Sequence, residues 1–220
     1  MSKLILPVGG GLQVKRYRPL LKAPANFERP NAIGNWEYLT PLENQGSNPW
    51  CAAYAGCQYL QASFWRDNNF KAEFSEEKLY WAAKAIDRNR NDGTSLESII
   101  YAAQANHFGN SHGAPTIIPE LCSDWRDLVF FIHRYGFVLI GMIITDGWLF
   151  DDGRVRDSDV DLGGHALIAH SYDAIRRVFW VANWWGRDKG ANGSYEVTFD
   201  QMKDQFCSGY GLDIQWRKAA

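Results

Sequence analysis

The order of secondary-structure signals constrains the fold of this chain most. Residues 49–67 show helical periodicity, and Ser75 and either Thr94 or Ser95 can cap two further helices. A short amphipathic helix is predicted over 124–135. Apolar or alternating runs then predict strands at 137–144, 166–169, 178–182 and 195–199. The sequence therefore predicts an α+β fold in which a helical lobe and a sheet-rich lobe face each other across a cleft.

The N-terminal part of the chain differs from both lobes. Residues 1–43 have no sustained period and contain five prolines, at positions 7, 19, 24, 30 and 41. We expect an extended arm that lies over the body and is able to occlude a groove. The 220 residues are then one domain with three parts: the arm, a helical lobe over 44–123 and a sheet-rich lobe over 124–220.

Composition excludes several classes of function. The net charge is −2 and no run of basic residues occurs, so no nucleic-acid partner is expected. The longest apolar stretch, 128–144, contains His133 and Arg134, so no membrane span is expected. The sequence has no signal-peptide pattern and no C-x-x-C pair among its four scattered cysteines. We therefore expect no structural zinc and a reducing, cytoplasmic location, although export by a leaderless route is also compatible.

One cysteine stands at the predicted start of the first long helix. Asn48 is a good N-cap and Pro49 suits the first helical position, which makes Cys51 the third residue of the helix. The free N–H groups there favour a thiolate, which is the nucleophilic form of cysteine. The amide of Gln45 can fold back beside the sulfur and, with the N–H of Cys51, hold an oxyanion.

A cysteine nucleophile needs a base and a group that orients the base. Among five histidines, His165 is the best candidate, because it follows two glycines and opens a buried strand. Asn183 ends the next strand of the same hairpin, so its amide oxygen can accept the imidazole N–H. The indole of Trp184 or Trp185 can cover that hydrogen bond. Of the remaining histidines, we expect His170 in the core and the others at the surface, namely His107, His112 and His133.

These residues together resemble the papain-like cysteine peptidases. The similarity is carried by three segments, which are Gln45-Gly46-Ser47 with Cys51, Gly164-His165-Ala166, and Asn183-Trp184-Trp185-Gly186. It implies a papain-like two-lobe fold, a Cys51–His165–Asn183 triad with Gln45 in the oxyanion hole, and a protein or peptide substrate. It implies no cofactor or metal. It also implies that four residues bind substrate: Gly93, Gly164, Ala166 and Trp185.

The sequence departs from that family's pattern beside the nucleophile. Trp50 precedes the cysteine and Ala52 follows it, whereas the family has a bulky residue after it, and Asn48 stands where a cysteine is common. Two alternatives to peptide hydrolysis stay open: acyl transfer to an amine, as in transglutaminase-like proteins, and an inactive papain-like scaffold that binds a partner. The acidic segment 151–161 lacks regular ligand spacing, so we interpret it as a solvated loop.

Overall fold

The computed structural model describes residues 22–87, 92–105 and 115–216. His107, His112 and the first 21 residues of the predicted arm lie outside these ranges. No helix in the described part of the chain is both long and apolar enough to cross a bilayer.

Three helices pack together in the first half of the chain. They are α1 (Cys51–Asn68), α2 (Glu76–Asp87) and α3 (Leu96–Gln104). The Ser75 hydroxyl accepts the N–H of Lys78 at 3.3 Å, and the Ser95 hydroxyl accepts the N–H of Ser98 at 3.1 Å. Both predicted N-caps are therefore confirmed, since each satisfies an N–H group that has no partner within its helix.

The strands form one antiparallel sheet in the order β2-β7-β3-β4-β5-β6, and β1 pairs with β4. Their bounds are β1 (Ala32–Ile33), β2 (Thr116–Cys122), β3 (Val138–Thr145), β4 (Asp161–Asp173), β5 (Val178–Ala182), β6 (Ser194–Thr198) and β7 (Phe206–Gln215). Two further helices, α4 (Leu128–Tyr135) and α5 (Phe199–Gln205), complete the second half. The predicted hairpin is present, because β4 and β5 pair antiparallel across the turn at 174–177.

Two apolar cores lie on opposite faces of this sheet. On β4, Ile168 packs with the helices α1–α3, whereas Leu167 and Ala169 pack with α4 and α5. This alternation is the period-two pattern of a strand that is covered on both faces. The mixed composition of helix and antiparallel sheet agrees with the predicted α+β class.

The sheet extends further than the sequence predicts. β2 and β7 carried no strand prediction, and β2 lies inside the range predicted as the helical lobe. β2 contains Pro119, which is tolerated because β2 is an edge strand. β7 contains Gly209 and Gly211, which weaken its strand pattern; a Cβ at Gly211 would lie 2.2 Å from the ring of Tyr135. Close packing against Tyr135 therefore explains why position 211 is a glycine, which the strand pattern alone does not indicate.

The described part of the arm lies against the sheet-rich half at its start and reaches α1 at its end, where the Thr40 hydroxyl contacts Gln61. The Phe27 ring meets the Phe130 ring on α4 edge to face, with centroids 5.1 Å apart. Further along, the Trp36 ring contacts His170 at a centroid distance of 4.4 Å. The arm then runs through Leu42, which is buried, to the segment before α1.

Candidate active site

Cys51 is the first residue of α1 and not the third. The N-cap is Trp50, whose carbonyl oxygen accepts the N–H groups of Ala53 and Tyr54. The predicted cap by Asn48 is therefore wrong: the carbonyl oxygen of Asn48 accepts the side-chain amide of Gln45 at 2.9 Å in place of a helical N–H. The later start leaves the N–H groups of Cys51 and Ala52 free to approach the sulfur.

The sulfur of Cys51 is buried among backbone donors. Burial raises the pKa of the Cys51 thiol, whereas hydrogen bonds from the N–H groups of Ala166, Ala52 and Cys51 lower it. The N–H groups at the helix start thus lower the thiol pKa, as expected, but the removal of water raises it by more. The net effect is a raised thiol pKa, which opposes the thiolate that the helix-start position alone favours.

His165 and Asn183 form the predicted hydrogen bond. Nε2 of the imidazole lies 2.8 Å from Oδ1 of Asn183, and the same oxygen accepts the N–H of Trp184 at 2.7 Å. The backbone N–H of Asn183 is donated to the carbonyl oxygen of Gly193 at 2.9 Å, which anchors the amide on the next hairpin. The ring therefore carries its hydrogen on Nε2.

The second imidazole nitrogen, Nδ1, is buried and has no hydrogen-bond partner among the described residues. Burial lowers the pKa of His165 to about 4, although the hydrogen bond to Asn183 raises it. The ring is consequently neutral at pH 7. The residue that follows it in β4, Ala166, donates its N–H to the sulfur of Cys51. A neutral base and a thiol therefore lie at the same end of β4.

Two tryptophans enclose this end of the sheet. The Trp185 ring lies against His165 with centroids 5.5 Å apart, so Trp185 is the indole beside the imidazole. Trp184 is buried and donates its indole N–H to the carbonyl oxygen of Ala166 at 2.9 Å. Both backbone groups of Ala166 are thus occupied, one by the sulfur and one by an indole.

Gln45 is held between the two halves of the molecule. Its backbone N–H is donated to the Trp184 carbonyl oxygen at 2.8 Å, and Asn44 forms a β-bridge with Trp185. Its side-chain amide donates one N–H to the carbonyl oxygen of Asn48 at 2.9 Å. Gln45 is 2% exposed, and its side-chain oxygen has no partner among the described residues. One amide N–H of Gln45 therefore stays available beside the start of α1.

Gly164 and Gly93, which the resemblance also assigns to substrate binding, differ in burial and in the element that holds them. Gly164 is half-buried on β4 opposite Ile143. Gly93 is buried between α2 and α3, and its carbonyl oxygen accepts a hydrogen bond from Nζ of Lys84 at 3.0 Å.

The described residues contain no group of three or more metal-ligating side chains. In the acidic segment, the Asp151 carboxylate pairs with Nζ of Lys189 at 2.9 Å.

Sequence reasoning missed the contacts that connect α2 with the site. The Trp50 ring stacks on Tyr80 at a centroid distance of 5.2 Å, and the Tyr80 hydroxyl donates to the Asp92 carbonyl oxygen. The only local signal was the aromatic residue before the cysteine. Its partner on a separate helix cannot be identified from spacing.

Comparison with known proteins identifies the fold. No protein-family model matches the sequence, and a search of curated proteins finds no match. Among solved structures, the chain is similar to xylellain, a cysteine protease from Xylella fastidiosa, with 16% identity and a TM-score of 0.68 over 84% of this chain and 86% of that chain. It is also similar to the digestive procathepsin L 3 of the Tenebrio molitor larval midgut, with 16% identity and a TM-score of 0.69 over 89% of this chain and 73% of that one. The chain therefore has a papain-like fold, as predicted.

Proposed function

We propose that the protein is a cysteine-type peptidase that hydrolyses peptide bonds through Cys51, His165 and Asn183. The observation that carries the proposal is the hydrogen bond of 2.8 Å between His165 and Asn183. Nδ1 of the same ring has no partner in the described part of the chain, and it lies at the end of β4 that contacts the Cys51 sulfur. Unpartnered buried polar atoms are rare in proteins, and a catalytic role is one explanation for those that occur. The likeness to two cysteine peptidases in fold supports the same reaction class.

The first step forms an acyl-enzyme. The Cys51 sulfur attacks the substrate carbonyl carbon while its proton passes to Nδ1 of His165, and the carbonyl electron pair moves onto the oxygen. Burial disfavours the charged form of each partner, because it raises the pKa of the Cys51 thiol and lowers the pKa of His165. The C–N bond then breaks, and His165 donates the proton to the leaving amine.

Hydrolysis of the acyl-enzyme uses the same groups in reverse. Nδ1 of His165 accepts a proton from water, whose oxygen attacks the thioester carbon, and the sulfur leaves with that proton. In both steps the negative oxygen is held by the N–H of Cys51 and the remaining N–H of Gln45. Asn183 keeps the ring in the tautomer that leaves Nδ1 basic, and Trp185 keeps water from the hydrogen bond between His165 and Asn183.

Substitution of the nucleophile and the base tests this proposal. We expect Cys51→Ala to abolish cleavage of a random peptide library, and His165→Ala to remove alkylation of Cys51 by iodoacetamide near neutral pH. Cleavage by Cys51→Ala at the parental rate would disprove the assignment. A conjugate in place of a hydrolysate, when a primary amine is supplied, would instead identify acyl transfer. Alkylation without selectivity for Cys51, and no cleavage, would identify an inactive scaffold.

A further inference from the structure

All three polar groups of Trp184 bond to residues of the candidate site. Its backbone N–H is donated to Oδ1 of Asn183 at 2.7 Å, and its carbonyl oxygen accepts the backbone N–H of Gln45 at 2.8 Å. Its indole N–H is donated to the carbonyl oxygen of Ala166 at 2.9 Å. Trp184 is 1% exposed, so water does not compete for these bonds. The residue therefore contacts the orienting amide, the oxyanion donor and the residue that follows the base.

The indole takes the place of a strand at Ala166. The register of β4 with β5, in which Ile168 lies opposite Ala182, would place Ala166 opposite Trp184 if β5 did not end at Ala182. At a hydrogen-bonded pair of an antiparallel ladder, one residue exchanges both its N–H and its carbonyl oxygen with the residue opposite. Here the two groups of Ala166 have separate partners, because the Cys51 sulfur accepts the N–H and the indole donates to the oxygen.

We propose that Trp184 is a positioning residue for the nucleophile: its indole N–H fixes Ala166, which in turn holds its own N–H against the Cys51 sulfur. This inference rests on the proposed peptidase function. A hydrogen bond to a thiolate stabilises it, so a donor that is fixed in place makes the sulfur more reactive. The ring is also stacked on Tyr54, three residues after Cys51, with centroids 6.4 Å apart. The indole is thus packed against the helix that carries the nucleophile.

An isostere of tryptophan that lacks the N–H group tests this role. β-(3-Benzothienyl)alanine has a sulfur atom in place of the indole N–H and keeps the size of the ring. At position 184 it should lower the rate of Cys51 alkylation by iodoacetamide at pH 7 about fivefold, which corresponds to one net hydrogen bond. In peptide cleavage it should lower kcat by a similar factor and leave KM unchanged, because the lost hydrogen bond acts on the nucleophile.

Trp148 provides the matched control. It is fully buried like Trp184, and its indole N–H donates one hydrogen bond, to Oε1 of Gln205 at 2.8 Å. It lies in the core on the other face of the sheet from Cys51. The same isostere there should lower the stability of the fold but not the rate of alkylation. 7-Azatryptophan at position 184 keeps the N–H group and should retain the wild-type rate.

A second measurement leaves Trp184 unchanged, so it decides the question even where the isostere prevents folding. If the indole positions Ala166 for the sulfur, removal of the sulfur must weaken the indole hydrogen bond, because coupling between two sites is reciprocal. We expect the indole N–H of Trp184 to exchange with solvent about fivefold faster in Cys51→Ala than in wild type. Cys51→Ser keeps an acceptor and should retain the wild-type exchange rate. The indole N–H of Trp148 is the internal reference.

The outcomes separate this inference from the proposed function. An unchanged rate of Cys51 alkylation with the isostere at position 184, or an equal loss at positions 184 and 148, would overturn the inference alone. Equal exchange rates of the Trp184 indole in wild type and Cys51→Ala would also overturn it. If iodoacetamide shows no selectivity for Cys51 in wild type and no peptide is cleaved, the proposed function is wrong and this inference falls with it.

Discussion

Nε2 of His165 and the backbone N–H of Trp184 both bond to Oδ1 of Asn183, at 2.8 and 2.7 Å. Because a backbone N–H can only donate, the shared atom is the amide oxygen, and Nε2 must also be a donor. Nδ1 is then the basic nitrogen of the ring. This single amide therefore decides which nitrogen of His165 can take a proton from Cys51.

Removal of the amide should lower the rate of catalysis more than the binding of substrate. We expect Asn183→Ala to reduce kcat roughly 10- to 100-fold with little change in KM, because a misoriented base loses part of the contribution of proton transfer. Steady-state kinetics on one peptide measure both constants. Asn183→Asp is the matched variant: it keeps an acceptor and adds a negative charge, which raises the pKa of His165. Equal kcat values for Asn183→Ala and wild type would contradict this role.

Gln45 is expected to act on the transition state. Gln45→Ala should lower kcat roughly 100- to 1,000-fold, the range found when one oxyanion donor is removed. Gln61→Ala is a suitable control, since Gln61 is a half-buried glutamine of α1 that accepts the Thr40 hydroxyl. It should leave kcat unchanged. A rise in KM with normal kcat in Gln45→Ala would assign Gln45 to ground-state binding instead.

The pH dependence of kcat/KM should report the buried imidazole. Burial lowers the pKa of His165 to about 4 from 6.5, so the ring is a neutral base at every pH above about 4. We therefore expect kcat/KM to rise as the pH increases through about 4 and then to stay level to neutrality. Initial rates between pH 3 and 8, with recovery of activity checked at pH 7, measure this limb. An acidic limb near 6.5 would contradict a buried, neutral His165.

His170 should make folding stability depend on pH. Burial lowers the pKa of His170 to about 3 from 6.5, and the ring contacts Ser171 and Trp36. Below pH 6.5 the unfolded chain binds a proton that the folded chain does not, so the free energy of unfolding falls as the pH decreases toward 3. One histidine contributes about 1.4 kcal/mol per pH unit.

Denaturant unfolding at several pH values tests this contribution. His170→Gln should reduce the slope between pH 6 and 4 by about 1.4 kcal/mol per pH unit. Gln61→Ala is the control, because it removes no titratable group and should not change the slope. Identical slopes in wild type and His170→Gln would show that His170 is protonated in the folded protein.

Local signals were sufficient for most of the helices and for the central hairpin. The caps at Ser75 and Ser95 depend on hydrogen bonds within three residues, and β4 and β5 are joined by a short turn. The pairing of His165 with Asn183 was predictable for the same reason, since both lie on that hairpin. By contrast, the start of α1 depends on a turn in which Gln45 and Asn48 bond to each other, which competes with capping.

Properties that depend on distant packing could not be predicted from the sequence. The pKa of Cys51 is set chiefly by burial, and helix position alone suggested the opposite direction. β7 was not predicted because its glycines fit beneath residues from other elements, such as Tyr135. The contact of Lys84 with Gly93 crosses a loop and carries no motif.

The most direct test of the central claim is to look for the acyl-enzyme. The protein would be mixed with a peptide ester, quenched in acid within milliseconds to seconds, and digested for mass spectrometry. We expect one substrate acyl group on Cys51 in wild type, lost with time as the free acid forms, and none in Cys51→Ala. Release of the acid by Cys51→Ala at the wild-type rate, with no acyl group on Cys51 of the wild type, would contradict the proposed mechanism.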